Sequence, residues 1–415
     1  MFVVSRGAAA TTGTGEGADL RPSSVMVQRM ATDAAAPECA PRLHLMAGGP
    51  GVGLLRRLRG ERPRWHPRRV ALVLVALTWL PLIVSGLLES ALAGSLLRDL
   101  ATHVRLLVAL PVLVLVERPL AASLASATAQ FVASGLVRPE QRGRYVALIA
   151  DSERLLDSRV AEIVVLGLVC AASIGLFGAH GVHEAGAWMT TGAGRTPAGL
   201  WYGLVALPIF HLIWLRWLYL IGVWTWFLAR VARLDLRLNP AHPDGAGGLG
   251  FLGESSVAFG ALLFAASAVF AGEGLRRMLF AGAGLASHWP GAVILVAVAL
   301  ALFVGPLLVF MPALIRARHR GVSEYGALAS CYVQQFADKW IAGQGEREAL
   351  LGTPDVQSLG DLGSIHDRVL KMSVVPLGRR EAVAIIIPGL IPLLVLAAAI
   401  VPLRDVLASL LRIFA

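Results

Sequence analysis

The sequence predicts an all-α, polytopic transmembrane helical bundle of about seven spans with a small helical cytoplasmic module. Hydrophobic residues make up 56% of the chain and charged residues 15%, whereas soluble domains carry about 25% charged residues. The mean hydropathy is +0.68. Apolar stretches that approach the ~20 residues needed to cross a membrane recur along the chain. This composition excludes a cytosolic enzyme, a secreted disulfide scaffold and a nucleic-acid binder.

The chain begins with a low-complexity segment. Residues 1–45 are rich in Ala, Gly, Thr and Ser, so we expect a disordered tail that is dispensable for insertion. A basic cytoplasmic segment follows at 46–69. The transmembrane domain covers 70–402, with cytoplasmic helical insertions at 118–159 and 316–382. A short amphipathic C-terminal tail ends the chain at 403–415.

Seven apolar stretches predict the spans, and the arginines predict their orientation. The spans are 70–88, 103–116, 160–178, 202–229, 256–272, 291–315 and 383–402. With the N-terminus inside, the inner segments carry 25 Lys and Arg and the outer segments 6. Positively charged loops stay in the cytoplasm, so the bias predicts a cytoplasmic N-terminus and contact with anionic phospholipid rather than nucleic acid. Arginine outnumbers lysine 35 to 2, which favours a high-GC bacterium and hence its inner membrane.

Three phrases resemble a known group of sequences: RDLATHVRLLVALPVLVLVE (98–117), LDLRLNPAHPDGAGGLGFLG (234–253) and DVQSLGDL (355–362). They are similar to uncharacterised bacterial multi-pass inner-membrane proteins. The resemblance covers most of the chain after residue 68. It implies a membrane protein and no particular activity.

The segment 239–250 is the first candidate site. Prolines fix its backbone, and glycines allow positive φ and close approach of a ligand. Two interpretations stay open: the segment is a loop that binds an anion, a metal or a nucleotide at the cytoplasmic surface, or it is a rigid turn packed against cytoplasmic helices. The candidate ligand or substrate residues are His242, Asp244, Gly245, Gly247, Gly248, Arg233 and Arg237.

The fourth predicted span carries the second candidate site, His211 and Arg216. A charged residue inside a span is costly and often functional. Arg216 either belongs to a pore or substrate site, or reaches the interface or pairs with Glu117 or Glu162. For His211 the alternative is ordinary packing.

The sequence contains no catalytic constellation, metal site or cofactor motif: HExxH, GxSxG, CxxC and P-loop patterns are all absent. We therefore expect a protein that is not an enzyme. A transporter-like or channel-like role is favoured by the polar residues and prolines within spans. The alternatives are a non-catalytic membrane scaffold or regulatory partner, which would form homo-oligomers or bind a protein through the cytoplasmic helices, and a membrane enzyme acting on a lipid or phosphate substrate.

Overall fold

The computed structural model describes residues 41–45, 48–50, 66–88, 95–179, 188–191, 194–281, 284, 287–342 and 353–398, with only the backbone described at 176–179, 191 and 281. All of these residues belong to one structural unit, Pro41–Ala415. Residues 1–40 of the predicted tail, most of the basic segment 46–69 and the C-terminal tail 403–415 lie outside the described residues.

Helices make up 81% of the described residues, which confirms the all-α fold class. Ten long helices are named in chain order: α1 Pro67–Leu88, α2 Leu100–Ala133, α3 Arg142–Leu156, α4 Arg159–Ala179, α5 Pro197–Val231, α6 Gly250–Phe280, α7 Trp289–Leu308, α8 Met311–Trp340, α9 Pro354–Leu370 and α10 Arg379–Ala398. The described strands, β1 Thr190–Thr191 and β2 Gly194–Arg195, form one small antiparallel hairpin.

Six of the fully described helices are long and apolar enough to cross a membrane: α1, α2, α5, α6, α7 and α10. Six of the seven predicted spans correspond to them. The span predicted at 291–315 is too long, because α7 ends at Leu308, and the last residues of 383–402 lie outside the described residues. Many large apolar side chains on these helices face outward, as a lipid environment requires. The chain is thus an integral membrane protein embedded in a bilayer. The remaining predicted span, 160–178, coincides with α4, and its crossing of the membrane stays a prediction.

Two of the spans contain a π-helical turn that ends two residues before a proline. In α2 the turn is Val104–Ala109 and Pro111 follows; in α5 the turn is Tyr202–Ala206 and Pro208 follows. A proline ring removes one backbone donor and crowds the preceding turn, and the wider turn accommodates it. The two irregular turns are joined, because Arg105 donates to the hydroxyl of Tyr202.

The most buried span, α6, packs in parallel against α10. A Cβ on Gly389 would lie 2.3 Å from Cγ of Leu263, and one on Gly260 would lie 3.1 Å from the carbonyl oxygen of Ile385. Glycine is therefore required for the two helices to approach this closely.

One end of the bundle, here called the arginine-rich end, holds the segments 134–141, 232–249 and 371–378 and the hairpin of α8 and α9. Val137 and Leu236 form an isolated β-bridge, and the N–H of Ser373 donates to the carbonyl of Gly245 at 2.7 Å. The segments predicted to be cytoplasmic therefore meet in space. The β-hairpin and Asp99 lie at the opposite end.

Residues 41–45 and 48–50, here called the strap, are packed into the arginine-rich end. Leu43 and Leu45 are 0% and 1% exposed. The N–H of Leu43 donates to Oγ1 of Thr128 at 3.1 Å, and that of Gly49 donates to the carbonyl of Leu156 at 2.9 Å. The expectation of a disordered, unpacked tail is therefore wrong for residues 41–45.

Helix α8 begins earlier than the sequence suggests. Serine is a common N-cap, so the sequence predicts a helix that starts at Ser323, but α8 runs unbroken from Met311 to Trp340. Its first turn holds Pro312, which a helix tolerates because the N–H there has no partner within the helix. Ser323 thus lies inside the helix and caps nothing.

Candidate functional site

The loop between α5 and α6 folds around the carboxylate of Asp244. Its Oδ1 accepts the N–H groups of Ala246 at 2.9 Å and Gly248 at 3.1 Å, and its Oδ2 accepts that of Gly250 at 2.8 Å. Nδ1 of His242 lies 2.8 Å from Oδ1. The carboxylate thus organises the backbone that surrounds it.

These contacts set the ionisation of Asp244. Burial by itself raises the pKa of the carboxyl group, but the N–H groups of Ala246, Gly250 and Gly248, together with His242, outweigh that effect and hold the pKa below its ordinary value. Hydrogen bonds donated to a carboxylate favour its charged form. Asp244 is therefore negatively charged at neutral pH.

The glycines of the loop adopt the backbone conformation that their residue type allows. Gly245, Gly247 and Gly248 have φ values of 64°, 67° and 98°, and a Cβ on Gly247 would lie 2.9 Å from Cε of Met372. The N–H of Gly248 donates to Asp244 and that of Gly245 donates to the carbonyl of His242 at 3.1 Å, so neither is open to an external anion. The geometry favours the rigid turn over an open anion-binding loop.

A cavity of about 320 Å³ lies beside this loop. Its walls come from the end of α2, the loop, the start of α6 and the segment that leads into α10. Its polar lining consists of Gln130, Ser134, His242, Asp244, Glu254, Ser373 and Glu381, and no Lys or Arg side chain lines it. An acidic cavity is thus set into the arginine-rich end.

Two of the lining carboxylates are available to a ligand. Whereas Asp244 is occupied by the loop, neither Glu254 nor Glu381 has a hydrogen-bond or ion-pair partner among the described residues. Glu381 lies in the first turn of α10, where the helix dipole stabilises negative charge. Neither glutamate was predicted from the sequence.

The structure separates the predicted loop residues into two groups. Those that line the cavity are His242, Asp244 and Gly248. Those that do not line it are Gly245, Gly247, Arg233 and Arg237. Both arginine side chains are exposed, and Arg237 contributes its backbone N–H to the carbonyl of Leu136 at 2.9 Å.

Arg216 is buried in α5 and pairs with α2. Its Nη2 donates to Oε1 of Glu117 at 2.7 Å, and its side chain is 10% exposed. The adjacent Trp217 donates its indole N–H to the carbonyl of Leu113 at 3.1 Å. The sequence left Glu117 and Glu162 as possible partners, and the structure pairs Arg216 with Glu117. The ion pair connects α5 to α2, and neither residue lines the acidic cavity.

His211 also makes a contact between helices. Its Nδ1 lies 3.1 Å from Oγ of Ser173 in α4, and its ring packs against Phe210. It does not line the acidic cavity. These contacts fit the packing alternative.

A polar network at the opposite end was not anticipated. Asp99 is 7% exposed, and its Oδ2 accepts the indole N–H of Trp188 at 3.0 Å and the hydroxyl of Thr102 at 2.9 Å. The sequence signals only that Asp99 precedes an apolar helix as a possible cap. Its contact with Trp188 has no sequence signal.

Among the described residues, no group of three His, Cys, Asp or Glu side chains is placed to hold a metal ion. No family model, curated protein or solved structure matches the chain. Function is therefore inferred from the geometry of the molecule alone.

Proposed function

We propose that the protein is a transporter-like membrane protein of a bacterial inner membrane that binds a small cationic solute in the acidic cavity. The arginine-rich end then faces the cytoplasm, in contact with anionic phospholipid. The observation that carries this proposal is the 320 Å³ cavity with the unpaired carboxylates of Glu254 and Glu381. Its size is within the range of small-molecule sites.

The positions of the two glutamates would couple ligand binding in the cavity to the packing of two helices. Glu254 belongs to α6 and Glu381 to α10, the two helices that pack in parallel. A cation held by both carboxylates would offset the repulsion between them and favour one arrangement of these helices. Asp244 keeps the adjoining wall fixed. Binding at one end of the bundle is thereby coupled to helix packing, as a transporter requires.

The test is ligand-dependent stabilisation of the purified protein in lipid nanodiscs. Tetraethylammonium and spermidine are the probes, and acetate is the anionic control. We expect the cations to raise the thermal midpoint of the wild-type protein, because a ligand stabilises the state that it binds. The double variant Glu254→Gln, Glu381→Gln should lose this response.

The matched control is Glu324→Gln, an exposed glutamate on α8 away from the cavity lining, which should respond like the wild type. A midpoint that no cation shifts, or a shift that persists in the double variant, would refute the cation site. Uptake of radiolabelled cation into proteoliposomes then separates a transporter from a protein that only binds.

A second function, a membrane scaffold or regulatory partner, is favoured by the hairpin of α8 and α9. From Val322 to Trp340 no residue is buried, and Leu328 and Val333 are 54% and 52% exposed. The hairpin is closed by Asp355, which accepts Nζ of Lys339 at 2.9 Å. Loss of the cellular phenotype with Leu328→Asp, but not with the glutamate variants, would favour this function.

A further inference from the structure

Leu45 of the strap lines an apolar groove together with side chains of three helices. The side chains that surround Leu45 come from α2, α5 and α6, and they are Leu120, Leu124, Trp217, Leu220, Ile221, Trp224 and Phe259. Leu45 therefore fills a slot that suits an aliphatic chain.

A buried donor without an acceptor lies close to Gly49 of the strap. Nε of Arg216 has no hydrogen-bond partner among the described residues, although the side chain is only 10% exposed. This nitrogen lies 3.8 Å from the position that a Cβ on Gly49 of the strap would take. Leaving a buried donor unsatisfied is unfavourable, so an oxygen acceptor placed here would be bound.

The described contacts of the strap are of three kinds. Leu43, Leu45 and Pro50 are buried, Nδ1 of His44 lies 3.9 Å from Oε1 of Glu153, and backbone N–H groups donate from Leu43 to Thr128 and from Gly49 to Leu156. The burial of these side chains must offset the conformational entropy lost by the ordered strap. A ligand that supplies both an apolar chain and an acceptor would compete with it.

We propose that the strap is the internal occupant of a binding site for a lipid-like amphiphile. The apolar chain of the ligand takes the place of Leu45, and its anionic head accepts the Nε–H of Arg216. The pairing of Arg216 with Glu117 is retained. This site is separate from the acidic cavity and does not depend on the proposed transport of cations.

The experiment weakens the strap in the full chain and measures binding of two probes in detergent micelles. The variant is Leu43→Ser, Leu45→Ser, and the probes are radiolabelled palmitate and radiolabelled dipalmitoyl phosphatidate. We expect at least one probe to bind about tenfold more tightly than it binds the wild type. Which probe gains distinguishes a free fatty acid from a phospholipid head group.

Two further variants control this result. Leu328→Ser changes an exposed leucine of α8 and should leave binding unchanged. Arg216→Lys, added to the strap variant, keeps the positive charge beside Glu117 but removes the Nε donor, and it should abolish the gain. A folded strap variant that gains affinity for neither probe overturns the proposal, as does a gain that survives Arg216→Lys.

A second measurement applies if the strap variant does not fold. Leu45→Cys is introduced into an otherwise intact chain that lacks its native cysteines through Cys39→Ser, Cys170→Ala and Cys331→Ser. Either probe should raise the rate of maleimide labelling at position 45 about tenfold, because the ligand displaces the strap. A labelling rate that neither probe changes overturns the proposal.

Discussion

At the scale of a single residue, the carboxylate of Asp244 holds the loop between α5 and α6 in one conformation. Its carboxylate accepts three backbone N–H groups, from Ala246, Gly248 and Gly250. Each of these donors needs an acceptor, because an unsatisfied buried donor costs about 1–3 kcal/mol. The conformation of the loop that forms one wall of the acidic cavity therefore depends on the negative charge of Asp244.

Replacing Asp244 by Asn should lower the free energy of unfolding by about 1–3 kcal/mol, because the neutral amide offers one acceptor oxygen instead of two. The substitution should also remove the part of the pH dependence of stability that comes from Asp244. The pKa of Asp244 is lowered in the folded protein, so its stabilising contribution is fully present above the unfolded pKa of about 4 and is lost as the pH falls through the folded pKa.

Thermal midpoints of the detergent-solubilised protein between pH 3 and pH 7 measure both effects. Asp361→Asn, on the exposed face of α9, is the matched control and should follow the wild-type curve. Superimposable curves for Asp244→Asn and the wild type would show that the carboxylate does not organise the loop.

Among the structural elements, the strap shows how a few residues escape detection in a sequence. Leu43 and Leu45 are two leucines in a low-complexity background, and two residues cannot establish a helical or strand periodicity. Leu45 is buried in the groove formed by α2, α5 and α6, which exists only in the folded bundle. The helices themselves are long and periodic enough to be located from hydropathy.

A chain that starts at Met46 should be less stable than one that starts at Pro41 after an added methionine. It lacks both leucines, and burying a leucine contributes about 1.5–3 kcal/mol before the cost of ordering the strap is subtracted. We expect a lower thermal midpoint for the chain that starts at Met46, because the apolar groove then loses the side chain of Leu45. The measurement is the thermal midpoint of both chains in the same detergent; equal midpoints would show that residues 41–45 contribute no stability.

Across the whole molecule, the arginine-rich end and the opposite end are chemically distinct, and this difference predicts the orientation. Exposed cysteines at the two ends test it in a background without native cysteines. Glu140→Cys lies at the arginine-rich end and Ser287→Cys at the opposite end, and both positions are exposed. Ala246 in the loop is unsuitable, because it is 4% exposed.

An impermeant maleimide should label Ser287→Cys in spheroplasts and Glu140→Cys only after the membrane is permeabilised. Arginine-rich segments remain in the cytoplasm because their translocation is unfavourable. Accessibility of Glu140→Cys in sealed cells, with Ser287→Cys protected, would invert the orientation.

The sequence predicts the membrane class, six of the spans and the irregular loop at 239–250, because these follow from composition and from local prolines and glycines. The sequence does not predict the acidic cavity. Glu254 and Glu381 are ordinary acidic residues near helix starts, and only the parallel packing of α6 and α10 brings them to one cavity. Local patterns carry no information about such distant pairs.

The parallel packing of α6 and α10 also has a consequence for biogenesis. Leu263 meets Gly389, which the ribosome adds more than a hundred residues later. At elongation rates of about 5–20 residues per second, Gly389 is synthesised about 6–25 seconds after Leu263. During that interval the face of α6 that packs against α10 is open to lipid, and a chain that terminates before α10 would keep it so.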